Sequence, residues 1–492
     1  MSGALKICFA ASEIAPFAKT GGLADVSAAL PLAIHRQGHD VRLFMPCYAG
    51  LQTDGVTLQP VDFARDVSLR LGPRTFVFTL RTARLPGSDL AVYFIDCPEL
   101  YHRGSIYTDD DDEYRRFGFF SSAVIHVCQR MGWGPDLFHS NDWHTALLPL
   151  FVRSHYDWDT LFSHSRQLLT IHNIGYQGLF PAAAIDDLGL GRWAHRFDQD
   201  DLGAGCVNFL RTGLLHADVI TTVSPTYARE IRTDAYGMGL DGLLRERREC
   251  LFGILNGVDY DEWSPQKDRF IRHRYSPSRL AGKQKNKLHL LSELNLPPNG
   301  ATPLFGMITR LTSQKGLDLC MAVLPELLAR EDAMLVVLGS GEARYEEFFT
   351  GLQQRLPDRV VFYCGYNNEL AHWIEAGADF FIMPSRYEPC GLNQMFSLKY
   401  GTLPLVRRTG GLADSVQSFD PRTGDGTGFV FDHYTPQGLG WALDQALALY
   451  RNPELFNKAR RNAMAVDHSW NRRSKEYLEL YGQLAAEAPR SG

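Results

Sequence analysis

Residues 380–416 read FFIMPSRYEPCGLNQMFSLKYGTLPLVRRTGGLADSV. Apolar runs and glycine-bearing loops alternate in it as strand, loop, helix, strand, loop, helix. Residues 380–383 are a short apolar run closed by Pro384, the pattern of a strand covered on both faces. Residues 385–391 form a loop at that strand's carboxyl end and carry one carboxylate, Glu388. Residues 392–400 have helical spacing and stop at Gly401, and 403–406 are the next strand. Thr409-Gly410-Gly411 then opens a helix from Leu412. Ligands of an open α/β sheet sit beyond the carboxyl ends of its strands. Amides exposed by glycines at a helix start hold anions. The stretch therefore offers a carboxylate and a phosphate cradle on neighbouring loops, which suits a nucleotide-sugar. Two ordinary βα turns with a solvated glutamate would use the same letters.

The alternation extends both ways. Upstream come strand 303–308, helix 316–330, strand 334–338, helix 344–356, strand 360–363 and helix 369–377. Downstream, helices are expected at 436–450, 453–465 and 473–486. The N-terminal half repeats the theme. Strand 6–11 precedes helix 23–37, kinked at Pro31, and strand 41–45 follows. Residues 75–80 and 91–95 are β-like, and the acid run 109–113 reads as a solvated loop before helix 114–131. Further strands at 137–139, 167–171, 218–223 and 252–255 complete a second doubly wound parallel sheet. Residues 260–302 are polar, basic and proline-bearing, so the domain linker belongs near their start. The expected division is 1–260, 261–466 and a final helical segment, 467–492.

A chain of 492 residues exceeds one core. A net charge of −6 gives no reason to expect nucleic acid or an acidic membrane surface. The 9 cysteines form no C-x-x-C pair, which argues against zinc and disulfides and for a reducing cytosol. The start, MSGALKICFAASE, has too brief an apolar run for a signal peptide, and no run is long enough to span a bilayer. A cytoplasmic protein acting on a neutral polymer or a small metabolite is expected, with no membrane partner.

Thr20-Gly21-Gly22-Leu23-Ala24-Asp25 recurs as Thr409-Gly410-Gly411-Leu412-Ala413-Asp414. The echo implies a glycine-opened helix start in each half, turned to a shared cleft. His172-Asn173 ends one strand and Asn141-Asp142-Trp143-His144 its neighbour, giving one rim with imidazole, carboxamide and carboxylate for sugar hydroxyls. Arg310 and Lys315 precede a helix start, where two cations can neutralise a leaving diphosphate without a metal. Lys19 stands in the same relation to Gly21-Gly22. Gly339-Ser340-Gly341 is a weak dinucleotide fingerprint, because its third glycine is replaced by Arg344.

Together these motifs resemble bacterial glycogen synthases, retaining glucosyltransferases related to plant starch synthases. The resemblance rests on Lys19–Val26, Asn141–His144, His172-Asn173 with Tyr176-Gln177-Gly178, Asn256–Asp259, Arg310 with Lys315-Gly316, and Glu388–Gly391 through Asp414. It implies the GT-B architecture, two Rossmann-like domains facing across a cleft. It implies transfer of glucose from ADP-glucose to the non-reducing end of an α-1,4-glucan such as glycogen, without cofactor or metal. By the same resemblance Glu388, His172, Arg310 and Lys315 are the catalytic set. Lys19 and Gly22 would touch the donor, and Thr409, Gly410 and Gly411 would supply phosphate-binding amides. Asp142, Asn173, Gln177 and Asn256 would line the glucose and acceptor side. Cys390, Gly391 and Leu392 would flank the donor, and Tyr366 would lie near the adenine. Many related enzymes carry a second glutamate eight residues after the first. Here that position is Phe396, as in glycogen synthases, and it reads as a packing residue beside the nucleotide. With no obvious β-face nucleophile near His172, same-face substitution is expected over double displacement. The residues leave open a UDP-glucose or small-acceptor enzyme, and a non-catalytic glucan-binding scaffold. Glycogen phosphorylase is disfavoured by the chain's length.

Overall fold

A computed structural model describes residues 3–53 and 55–486. It contains two compact units. Unit 1 comprises residues 1–223, 228–257 and 470–492; unit 2 comprises 224–227 and 258–469.

Unit 1 is built on ten strands: β1 Lys6–Ala10, β2 Asp40–Pro46, β3 Gln59–Pro60, β4 Val67–Leu71, β5 Arg74–Arg84, β6 Ala91–Asp96, β7 Leu137–Asn141, β8 Arg166–Ile171 and, after the small hairpin β9 Leu179–Pro181 and β10 Cys206–Asn208, β11 Val219–Thr222 and β12 Leu251–Gly253. The sheet order is β12-β11-β8-β7-β1-β2-β6-β5-β3, with β4 paired to β5. Its central strands are parallel, and β3, β4 and β5 add an antiparallel edge. The alternation of buried and exposed residues along β4 reflects an edge with one face to solvent. The central strands, buried on both faces, are continuous apolar runs.

The helix Gly22–His35 continues through Pro31 as one element. The acid run is not simply solvated. Arg103 bridges Asp110 and Asp112, and buried Glu113 pairs with Arg116 at 2.6 Å. The final helix, Trp470–Ala486, starts three residues earlier than its sequence suggested and packs within unit 1 against Gly22–His35. Its Tyr481 hydroxyl meets His139 Nδ1 at 2.6 Å. A buried polar chain continues from His139 through Thr170 to Thr221, at 2.7 and 2.6 Å.

Unit 2 holds six parallel strands: β13 Leu304–Ile308, β14 Met334–Gly339, β15 Val360–Cys364, β16 Phe380–Met383, β17 Leu403–Arg407 and β18 Phe429–Phe431, in the order β15-β14-β13-β16-β17-β18. The polar, proline-bearing segment 260–302 belongs to this unit. Its helix Ala281–Glu293 buries Lys283 and Lys287, so its basic character does not mark a solvated connection. Lys287 and Arg460 both reach Asp379 at 2.6 Å, and all three side chains are nearly fully buried. Phe396 lies flat on Trp263, with ring centroids 4.1 Å apart, and His372 covers the other face at 3.8 Å.

Candidate active site

Each sheet has one point where the chain leaves a central strand in opposite directions. These are β1 against β7 in unit 1 and β13 against β16 in unit 2. Ligands collect at the carboxyl ends of such pairs.

In unit 2 the loops after β13 and β16 meet there. Lys315 Nζ donates to Glu388 Oε2 at 2.7 Å, and Ser385 Oγ donates to the same oxygen at 2.9 Å. Glu388 is buried, and among the described residues nothing hydrogen-bonds its Oε1, which is left for a ligand hydroxyl. Arg310 is exposed at the end of β13, and no carboxylate among the described residues pairs with it. The two cations thus differ: Lys315 is held by Glu388, whereas Arg310 is available to an anion. Gly316, at φ +70°, lets the helix Leu317–Arg330 begin against Pro384 O, which a Cβ would meet at 2.0 Å.

The Thr409-Gly410-Gly411 loop packs closely against the loop of Glu388. The Gly411 N–H is donated to Glu388 O and Pro389 O, both at 3.1 Å, so that amide is not free for phosphate. A Cβ on Gly410 would lie 1.9 Å from Glu388 O, and one on Gly411 2.1 Å from Cys390 O. The glycines let this loop press against the backbone that carries Glu388. Thr409 is buried. Gly391 takes φ +70° with Gln394 against it, Leu392 starts the helix Asn393–Tyr400, and Cys390 is buried. Asp414 accepts from Thr226 N and Oγ1 at 2.7 and 2.6 Å. Tyr366 is exposed, with its hydroxyl 3.2 Å from Asn368 Oδ1. Gly339 and Gly341 allow close approach to Thr309 O and Leu311 O, which braces the loop of Arg310.

In unit 1, β7 and β8 pair so that Asn141 stands beside Thr170. Asp142, at φ +54°, accepts from His172 N at 2.7 Å and Asn173 N at 3.3 Å. Burial pushes its carboxyl up to about 7, against the pull of those two amides. His172 Nε2 meets Asn141 Oδ1 at 2.9 Å, and desolvation lowers this imidazole to about 3. Both groups are thus biased toward their neutral forms. Asn173 Oδ1 accepts from Gly175 N. Gln177 donates to Ile174 O and Met238 O and accepts from Asn208 Nδ2. It ties loops together, and its Oε1, with one donor bound, keeps a second acceptor site. Asn256 is buried with an unpartnered Oδ1, an acceptor awaiting a donor.

Lys19 pairs with Asp25 at 2.6 Å. The two copies of the hexapeptide therefore diverge. Asp25 holds its own loop's lysine while Asp414 caps Thr226, and Gly21 is extended at φ −160° with open space beside it. Sequence reasoning passed over Glu13. This buried carboxylate accepts from Thr20 N and Oγ1 and from Tyr107 OH, anchoring the Lys19 loop. An acid three residues beyond an apolar strand was the available signal. Among the described residues no cluster of His, Cys, Asp or Glu could hold a metal, and no helix is long and apolar enough to cross a membrane.

A model of the starch synthase catalytic domain matches residues 6–246, and a model of glycosyl transferases group 1 matches 295–464. The glycogen synthase of Desulforudis audaxviator is 44% identical over 486 residues, covering 97% of this chain and 96% of the relative. That of Thermotoga maritima is 42% identical, covering 99% and 100%. The chain belongs to the glycogen synthase family. The catalytic domain of starch synthase IV from Arabidopsis thaliana, solved with ADP and acarbose, superposes with a TM-score of 0.92 at 34% identity over 99% of this chain and 100% of that one. A sucrose-phosphate synthase from Thermosynechococcus elongatus shares the fold, at a TM-score of 0.62 and 18% identity over 98% of this chain and 99% of that one. Membership in the glycogen synthase family makes the chain a hexosyltransferase of the GT-B fold.

Proposed function

We propose that this chain transfers glucose from ADP-glucose to the 4-hydroxyl at the non-reducing end of an α-1,4-glucan, with retention, in the cytoplasm. The observation that carries this reading is the Lys315–Glu388–Ser385 cluster beside an unpaired Arg310 at the switch point of unit 2. Glu388 Oε1 accepts from hydroxyls of the donor glucose. Arg310 and Lys315 balance charge on the departing diphosphate, so no metal is required. Gly410 and Gly411 shape the Glu388 loop, and Thr409 lies behind it.

In unit 1, Lys19 and the helix opened by Gly22 face the donor, and Asp142, His172, Asn173 and Asn256 line the sugar side. Neutral His172 offers an acceptor to hydroxyls without adding charge near an oxocarbenium-like centre, and Asp142, pushed up to about 7, holds the His172 and Asn173 amides in place. The departing phosphate takes the acceptor's proton on the same face. Unit 2 is the donor domain and unit 1 the glucan domain.

The test is transfer from labelled ADP-glucose to glycogen, with UDP-glucose in parallel and EDTA present. ADP-glucose transfer unaffected by EDTA is expected. Preference for UDP-glucose would overturn the donor, and a folded protein inactive with both would overturn the enzyme reading.

A further inference from the structure

His172 has a partner that the proposed catalytic set does not explain. Asn141 is buried at the end of β7, and its carboxamide orientation is fixed from one side. Nδ2 donates to Ala10 O at 3.0 Å, and His139 O lies at 3.4 Å. A carbonyl oxygen only accepts, so the nitrogen must face Ala10 and Oδ1 must face His172. Oδ1 also only accepts. The proton of the imidazole is therefore on Nε2, donated at 2.9 Å. Nδ1 is then a bare lone pair. Among the described residues nothing hydrogen-bonds it, and it is absent from the orphaned buried atoms because it reaches solvent. Asn141 is held in turn by its own N–H on Thr145 Oγ1 at 2.5 Å and by β7–β8 pairing.

We propose that Asn141 is a positioning residue for glucosyl transfer, fixing the Nε2–H tautomer of His172 so that Nδ1 accepts a hydrogen bond from a sugar hydroxyl. This rests on the proposed function only for the identity of the ligand; the tautomer stands on the hydrogen bonds alone. The tautomer of a strand-end histidine is set by what its other nitrogen binds. A carboxamide suits this purpose better than a carboxylate. It orients the ring without stabilising an imidazolium, which would turn Nδ1 into a donor. The titratable groups beside the ring are His139 on β7 and Asp142, and Glu13 from the loop after β1 acts on Asp142. His139 and Asp142 are themselves biased neutral by burial, and desolvation keeps His172 unprotonated.

The experiment combines imidazole ¹⁵N NMR on the full chain, with His172→Gln for assignment, and the pH profile of kcat for wild type, Asn141→Asp and Asn141→Ala. Wild type is expected to show pyrrole-like Nε2 and pyridine-like Nδ1 from pH 6 to 9. Asn141→Asp is expected to bring His172 into the imidazolium form on the acid side. Its kcat should fall about tenfold at pH 6 and recover toward pH 8.5. ADP affinity should be unchanged, because the residues proposed to hold the diphosphate, Arg310 and Lys315, are untouched. Asn141→Ala should lose kcat at every pH without the acid limb. A wild-type His172 protonated on Nδ1 overturns the tautomer. The expected spectrum with a wild-type-like pH profile in Asn141→Asp overturns the role in transfer. A wild type that transfers nothing overturns the function instead. If Asn141→Asp fails to fold, the wild-type spectrum and the Asn141→Ala profile still decide.

Discussion

Replacing Gly410 by alanine separates two readings of the repeated hexapeptide. The new Cβ would lie 1.9 Å from Glu388 O, where real contacts begin near 3.0 Å, so the two backbones must part by about 1 Å. Gly410 also has φ +41°. Left-handed backbone strain costs about 1–2 kcal/mol, and forced repacking about 1–3 kcal/mol. Together they predict a loss of about 2–5 kcal/mol in unit 2, a melting transition roughly 4–20 °C lower. The displaced atom belongs to Glu388 itself, and a 1 Å misplacement of a reacting group costs about 10²-fold in rate. Gly21→Ala is the internal control. Gly21 is extended and has nothing within 4 Å, so alanine should change stability by no more than about 0.5 kcal/mol. Thermal melts and initial rates of glucose transfer well below the melt measure both. Equal responses of the two variants, or a Gly410→Ala enzyme with wild-type kcat, would refute the claim that Gly410 braces Glu388.

Three other outcomes are expected. Lys315→Ala and Glu388→Gln should each lower kcat about 10²–10³-fold. The double variant should be little worse than the poorer single one, because they act as a unit; multiplied losses in the rate assay would show independent roles. Asp379→Ala should destabilise unit 2 by about 3–5 kcal/mol by leaving Lys287 and Arg460 as unpaired buried cations, whereas a melt within a degree of wild type would rule out this pairing. His216, lowered to about 4 chiefly by desolvation, binds a proton in the unfolded chain below its ordinary value near 6.5 but not in the native one. Stability should therefore fall as pH drops from about 6.5 to 4, and His216→Gln should recover about 1–2 kcal/mol of the loss at pH 5. Urea melts at pH 5 and 7.5 would show no such difference if His216 titrates normally.

The alternating strands and helices were legible because the central strands of both sheets are parallel and buried on both faces, which favours continuous apolar runs. The strand at 380–383 and the helices at 436–450 and 453–465 are where periodicity put them. The helix Ala281–Glu293 was missed because its buried face carries Lys283 and Lys287, cations that only tertiary partners make tolerable. Glu388 and Lys315 stood out as a lone acid and a lysine at strand ends. Their pairing did not, since it depends on β13 and β16 being neighbours across a crossover. The packing role of the second glycine repeat was hidden for a related reason. Six identical residues specify local freedom, and the neighbouring backbone decides how it is used: open space at Gly21, contact with Glu388 at Gly410. Asn141 was read only as part of a rim for sugar hydroxyls, because its hold on His172 lies in the direction of one carboxamide.

The buried chain from Tyr481 to His139 has a consequence for biosynthesis. Unit 1 is assembled from segments separated by nearly all of unit 2, and its piece Trp470–Ala486 leaves the ribosome after unit 2 and the earlier segments of unit 1. Until it arrives, His139 lacks its phenol partner and the sheet beneath His172 lacks its cover. Unit 2 is continuous apart from a four-residue segment made earlier, so it is complete while unit 1 still waits. A nascent or prematurely stopped chain therefore exposes an unfinished N-terminal sheet to chaperones and proteases. Grafting residues 470–486 ahead of residue 3 through a flexible linker would remove that wait, making the N-terminal unit a vectorially folding domain.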